Sequence, residues 1–174
     1  KHLDDKFRGV IIRPATVCGY APHCRLDLSI NILTNHAVNN KKIIVLGGGE
    51  QKRPNIHIDD ICNFYIDCIN INSNRFNDKI YNVGFENLKI IEIANIVKKT
   101  LNTNIPIIIE KTDDIRSYHI SSKKVNNEFG FKTHKNITDA IVEINNASKN
   151  KLIIDPLNNP NYYNINKMKE LNLV

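Results

Sequence analysis

The chain alternates between short apolar runs and stretches whose apolar residues recur at helical spacing. Residues 9–13 are an apolar run stopped by Pro14, which predicts a buried, parallel strand. Residues 14–22, with Pro, Gly, Thr and Tyr, read as a loop at the strand end. Residues 26–38 place Leu26, Ile30, Leu33 and Ala37 on one helical face. A second short strand spans 42–46, and Gly47, Gly48 and Gly49 then turn the chain. Residues 55–58 are a brief extended piece. Asp59 or Asp60 caps a helix whose apolar positions are Ile61, Phe64, Tyr65 and Cys68. A strand over 79–84 ends on Gly84. An amphipathic helix over 90–101 follows, then a strand over 106–109. Ser121 or Ser122 caps a helix that stops before Gly130, and residues 137–147 form the last regular helix. Beyond Lys151 the pattern weakens into an extended tail with a short helix near Met168. The order is mixed α and β, without internal repeats. Residues 1–150 form one unit and 151–174 a tail.

Composition narrows the function classes. A chain of 174 residues, 41% hydrophobic and 24% charged, suffices for one globular domain with a core. No stretch reaches the ~18 apolar residues that span a bilayer, so a membrane partner is not expected. The polar start from Lys1 to Lys6 lacks the apolar centre of a signal peptide. The first residue is not Met, and the expectation is a segment of something longer. The net charge is +6, but the basic residues are scattered among acidic ones. A nucleic-acid footprint would cluster them, and isolated arginines suit a small polyanion such as a diphosphate better. The cysteines are Cys18, Cys24, Cys62 and Cys68, with no Cys-x-x-Cys pair and no finger-like ligand spacing. Cys62 and Cys68 fall in a helical pattern, where thiols act as small hydrophobes. A reduced, cytoplasmic protein without a metal site is the expectation.

Three stretches carry more specific information. The first is Arg13-Pro14-Ala15-Thr16-Val17-Cys18-Gly19-Tyr20. The second runs from Ile44 to Asp60 and contains Gly47-Gly48-Gly49-Glu50-Gln51-Lys52-Arg53 followed by His57-Ile58-Asp59-Asp60. The third is Ile80-Tyr81-Asn82-Val83-Gly84. In this order and separation they resemble the extended short-chain dehydrogenase/reductase family, the NAD-dependent sugar-nucleotide epimerases and dehydratases. The resemblance covers about residues 1 to 145. It implies an α/β fold, the C-terminal part of a Rossmann-type enzyme: the last parallel strands plus a small mixed α/β substrate-binding domain. In the complete protein it implies NAD as cofactor, a nucleoside-diphosphate sugar as substrate, and a homodimer.

The resemblance also says what this chain lacks. The dinucleotide glycine fingerprint is absent, and Gly47-Gly48-Gly49 has neither its spacing nor a helix behind it. The family's catalytic Tyr-x-x-x-Lys belongs before the strand at 9–13. The match from Tyr163 to Lys167 lies on the wrong side of the substrate domain. No catalytic residue is therefore assigned here, and the chain alone is expected to be inactive, without useful NAD affinity, and completed by an N-terminal Rossmann half. Arg53 matches the arginine that grips the substrate diphosphate, with Arg116 and Gln51 beside it. Thr16 stands where many members carry Asn. Pro14, Ala15 and Thr16 match the loop that passes the nicotinamide. Arg25 and Asn31 open a helix facing the diphosphate, where a helix N-terminus favours anions. His57, Asp59 and His119 read as structural. Two alternatives remain: a non-catalytic nucleotide- or protein-binding module on this fold, and one half of a split enzyme.

Overall fold

A computed structural model describes residues 9–70, 79–112 and 116–173. The described strands form three small groups. In the first, β1 (Val10–Pro14) pairs in parallel with β5 (Lys79–Val83), Val10 opposite Lys79. In the second, β3 (Ile43–Leu46) pairs in parallel with β7 (Ile107–Glu110). In the third, β4 (Lys52–His57) is central, parallel to β2 (Thr16–Cys18) and antiparallel to β6 (Glu86–Lys89).

The helices are α1 (Ser29–Asn35), α2 (Ile58–Asn70), α3 (Ile90–Thr100), α4 (Lys123–Phe129), α5 (Ile137–Lys149) and α6 (Asn164–Glu170). One core gathers Ile30 and Leu33 of α1, Ile93 and Val97 of α3, and Ile141 of α5 around Ile43 and Val45 of β3. A second lies on the β1–β5 pair, where Tyr81 and Val83 meet Ile61 and Phe64 of α2 and Val125 of α4. A third fastens the tail: Leu26 and Ile153 pack with Ile144 and Ala147 of α5. Each such fully buried aliphatic or aromatic side chain stabilises the fold by roughly 1.5–3 kcal/mol.

Several expectations shift. Residues 14–22 are not all loop, because residues 16–18 pair with β4 as β2. The extended piece at 55–58 is the second half of a strand that begins at Lys52. The helix expected over 26–38 is α-helical only from Ser29 to Asn35 and then widens into a π-turn, His36–Asn40, closed by Lys41 at φ 54°. Leu26 thus precedes the helix and packs under the tail. Neither Asp59 nor Asp60 precedes α2. The Asp59 N–H donates to His57 Nδ1 at 3.1 Å. The buried Asp60 carboxylate accepts the N–H groups of His134 (2.9 Å) and Lys135 (3.1 Å), pinning the approach to α5. Cys62 faces solvent instead of packing. Ser122 stands before α4, but its hydroxyl donates to Gly84 O at 2.7 Å and accepts the Gly84 N–H at 2.9 Å, clamping α4 to the end of β5. The regular cap in this region belongs to Asn136, whose Oδ1 accepts the Thr138 N–H at 2.8 Å while Asp139 accepts the Asn136 N–H.

Candidate functional site

A cavity of about 430 Å³ opens between α1, the end of β3, the start of β4 and the segment after residue 116. Its apolar wall is Leu28 just before α1, Ile32 and Leu33 of α1, Ile44 and Leu46 of β3, and Ile90. Its polar wall contains Thr16, Gln51, Arg53, Arg116 and Tyr118. Four of the residues singled out from sequence thus converge on one space, although the chain separates them by up to a hundred positions.

β4 sets the position of Arg53. Its strand partners hold the backbone, and Asn55, two residues on, donates to Arg53 O at 2.9 Å. Ser29, the first residue of α1, donates in turn to Asn55 Oδ1 at 3.1 Å. This chain of bonds fixes the start of α1 relative to the arginine. The Arg53 guanidinium donates to Lys52 O (3.0 Å) and to the carbonyl of Arg116, and lies 5.3 Å from the centre of the Tyr118 ring. The segment after residue 116 is itself stitched to β4: Lys52 N–H donates to Ser117 Oγ (3.0 Å) and Tyr118 N–H to Lys52 O (3.4 Å). Gln51 donates to Leu46 O at 2.6 Å, closing the glycine turn beneath it. Two permanently charged forks on one wall, against apolar side chains opposite, make a site for an anion with an attached apolar or aromatic group.

The other sequence candidates fall around this space. Arg25 does not line it; its Nε and one terminal nitrogen, Nη2, donate to the two oxygens of Asp27 (2.9 and 2.8 Å), and it is Asp27 that lines the cavity. Burial pushes the Asp27 carboxyl up, but the Arg25 fork and the Asn164 N–H outweigh that and hold it below the usual carboxylate range. Asn31 is in the core, accepting the Gly19 N–H (3.1 Å) and donating to Arg25 O (2.9 Å). It braces the loop from inside, because α1 starts at Ser29 and turns Asn31 inward. Pro14 and Ala15 close β1, with the Ala15 N–H on Val83 O at 2.7 Å. They mark the carboxyl ends of a parallel strand pair, the place where open α/β sheets bind ligands.

A second cluster is ionic and structural. His57 is buried, accepts at Nδ1 from Asp59 N–H, and lies with Nε2 3.0 Å from Glu143. His57, Asp59 and Glu143 present atoms within 4.8 Å of one another. The ammonium of Lys135 sits 2.6 Å from both Asp59 and Glu143 and supplies the cation there. His119 is exposed and outside the cavity. Tyr163 donates to Pro156 O at 2.7 Å and accepts from Asn35 Nδ2 at 3.0 Å. Burial raises its pKa, the wrong direction for a catalytic base. Burial, reinforced by the charges of Glu86, Glu143 and Asp60, pushes the Cys18 thiol up to about 12, far from a reactive thiolate. The liners that the sequence reading missed are Asp27, Ser29, His36, Thr112, Tyr118 and the apolar wall. His36 carried one usable signal, a polar residue four positions after Ile32 on an otherwise apolar helix face.

Residues 2–84, which include Thr16, Gln51 and Arg53, match the model of the NAD dependent epimerase/dehydratase family. That segment, a little under half of the chain, is similar to the family. Solved structures extend the likeness beyond the family segment. A dTDP-glucose 4,6-dehydratase from Bacillus anthracis, in complex with NAD, is 22% identical at TM-score 0.69, over 85% of this chain and 47% of its own. A UDP-glucuronic acid 4-epimerase from Bacillus cereus, in complex with UDP-glucuronic acid and NAD, is 20% identical at TM-score 0.70, over 82% and 45%. A UDP-glucose 4-epimerase from Thermotoga maritima, with UDP-glucose, is 14% identical at TM-score 0.70, over 84% and 48%. The fold is therefore that of the Rossmann-like extended short-chain dehydrogenases, and the chain spans about half the length of these structures.

Proposed function

We propose that this chain forms the substrate-binding part of an NAD-dependent nucleotide-sugar epimerase or dehydratase. The observation that carries the reading is the convergence of Thr16, Gln51, Arg53 and Arg116 on one cavity with an apolar wall. In it, Arg53 and Arg116 bind the diphosphate of a nucleoside-diphosphate sugar. The nucleoside lies against Ile32, Leu33, Ile44 and Leu46. Thr16, at the ends of the parallel strands, faces the sugar with a hydroxyl that both donates and accepts. Pro14 and Ala15 fit one edge of a nicotinamide, and NAD, when bound to the complete protein, supplies the hydride acceptor and donor. The catalytic tyrosine and lysine come from outside residues 1–174. This chain's own work is to bind, orient and shield the sugar nucleotide.

The experiment is calorimetric titration with UDP-glucose, dTDP-glucose and NAD. A sugar nucleotide is expected to bind and NAD is not. Arg53→Ala should weaken the sugar nucleotide roughly ten- to thousand-fold, the loss of a charge-assisted bidentate contact. Arg53→Lys should recover only part of it, because an ammonium cannot reproduce the fork. Unchanged affinity in Arg53→Ala would remove the diphosphate assignment. Micromolar NAD binding to these 174 residues would overturn the division of labour.

A further inference from the structure

The cavity has an arginine end and a far end. The start of α1 is tied to the strand carrying Arg53 through Ser29 and Asn55. From there the helix runs two turns to His36, about 10 Å along its axis. At His36 the winding changes to the π-turn His36–Asn40, a rare geometry that recurs at functional sites. His36 stands on the cavity wall with Ile32 and Leu33. Its Nδ1 is enclosed and meets no hydrogen-bond partner among the described residues.

That nitrogen is an exception. Asn31, Thr34, Asn35, Asn55, His57 and Asp60, the other polar side chains among the described residues that are buried from water, are all paired. An enclosed polar atom without a partner destabilises the fold, and a leucine would fill an apolar wall at no such cost. Burial, with the charge of Lys42 acting alongside it and Glu110 against it, lowers the pKa of His36 and favours the neutral ring. A neutral imidazole presents either a donor or an acceptor nitrogen, according to its tautomer, and so complements one polar group of either kind. Rotation about Cβ–Cγ exchanges the two ring edges and turns a nitrogen toward the cavity when a partner stands there.

We propose that His36 reads the base of the bound nucleotide, hydrogen-bonding its polar edge while Arg53 and Arg116 hold the diphosphate. The proposal rests on the nucleoside-diphosphate reading of the cavity and adds a specificity residue to it. The span from Ser29 to His36 is on the scale that separates the phosphates of a nucleotide from its base, with the apolar wall flanking the ring between.

The test uses UDP and inorganic pyrophosphate as probes, titrated into the wild-type chain and into His36→Leu and His36→Asn. His36→Leu should weaken UDP about ten-fold, the loss of one hydrogen bond to an otherwise unpaired group. It should leave pyrophosphate unchanged and raise the melting temperature of the ligand-free chain. His36→Asn, which keeps a polar atom near the Nδ1 position, should retain most of the UDP affinity. UDP affinity unchanged in His36→Leu overturns the base-reading role and leaves the anion site standing. Equal losses for UDP and pyrophosphate also overturn it, since they report a wall merely disturbed. A wild-type chain that binds neither probe overturns this proposal and the reading beneath it together.

Discussion

Asp27 shows how one residue couples the cavity to the fold. It lines the cavity, yet its charge is met by the two-point contact from Arg25 and by the Asn164 N–H at 3.1 Å. A carboxylate facing an anion site would repel the ligand if left uncompensated, so Arg25 acts here by neutralising its neighbour. Because the Asp27 pKa is held down in the fold, the group stabilises the native state above its unfolded value near pH ~4. That contribution is lost as pH falls through the lower folded value. In urea titrations between pH 5 and pH 2.5, wild type should lose more stability than Asp27→Asn, and the two curves should converge at the acid end. Parallel curves would show that the Arg25–Asp27 pair contributes nothing. At this scale the place of Arg53 and Gln51 on one cavity wall was legible, because a fixed spacing around the glycine turn carried them. Arg25 and Asn31 were placed by a helix start that proved three residues late, which turned one toward Asp27 and the other into the core.

Among the elements, the loop between β2 and α1 depends on a glycine that cannot be replaced cheaply. Gly19 has φ +105°, and a Cβ there would lie 2.9 Å from His57 Nε2 and 3.2 Å from Glu143 Oε2. Gly19→Ala therefore combines left-handed strain with intrusion on the His57–Glu143–Lys135 network, and should destabilise by about 1–3 kcal/mol. Gly48→Ala has a similar backbone angle but open space around it, and should be the milder change in the same denaturant midpoints. Equal losses would mean that backbone strain alone sets the effect. The long helices α2, α3 and α5 were readable because each repeats an apolar face over three turns or more. β2 has three residues, and β6 is a polar edge strand, Glu-Asn-Leu-Lys. Neither has a pattern of its own; both exist because β4 lies beside them. The π-turn at His36 was illegible for another reason: a single wider turn leaves the apolar spacing nearly intact.

For the molecule as a whole, the fold class followed from three motifs in the right order, whereas the cavity needed the folded chain, since its walls come from distant segments. The same fold leaves apolar surface open. Ile11 and Ile80 are register partners on β1 and β5, 55% and 42% exposed, and Ile69 of α2 is 82% exposed. Parallel pairs are ordinarily covered on both faces, and patches of this kind mark contact surfaces or aggregation. The chain should bind a hydrophobic dye and self-associate with concentration in sedimentation runs, and Ile11→Lys combined with Ile80→Lys should suppress both. A dye-negative monomer at high concentration would contradict this. The pairing pattern also bears on synthesis. Val10 waits for Lys79, and Ile43 for Ile107, some sixty to seventy positions later. At about 5–20 residues per second on the ribosome, each of these pairings waits roughly 3–14 seconds for its second strand, far longer than the microseconds in which a hairpin closes. The β1–β5 ladder is thus a late event of synthesis, because β1 leaves the ribosome well before β5 is made.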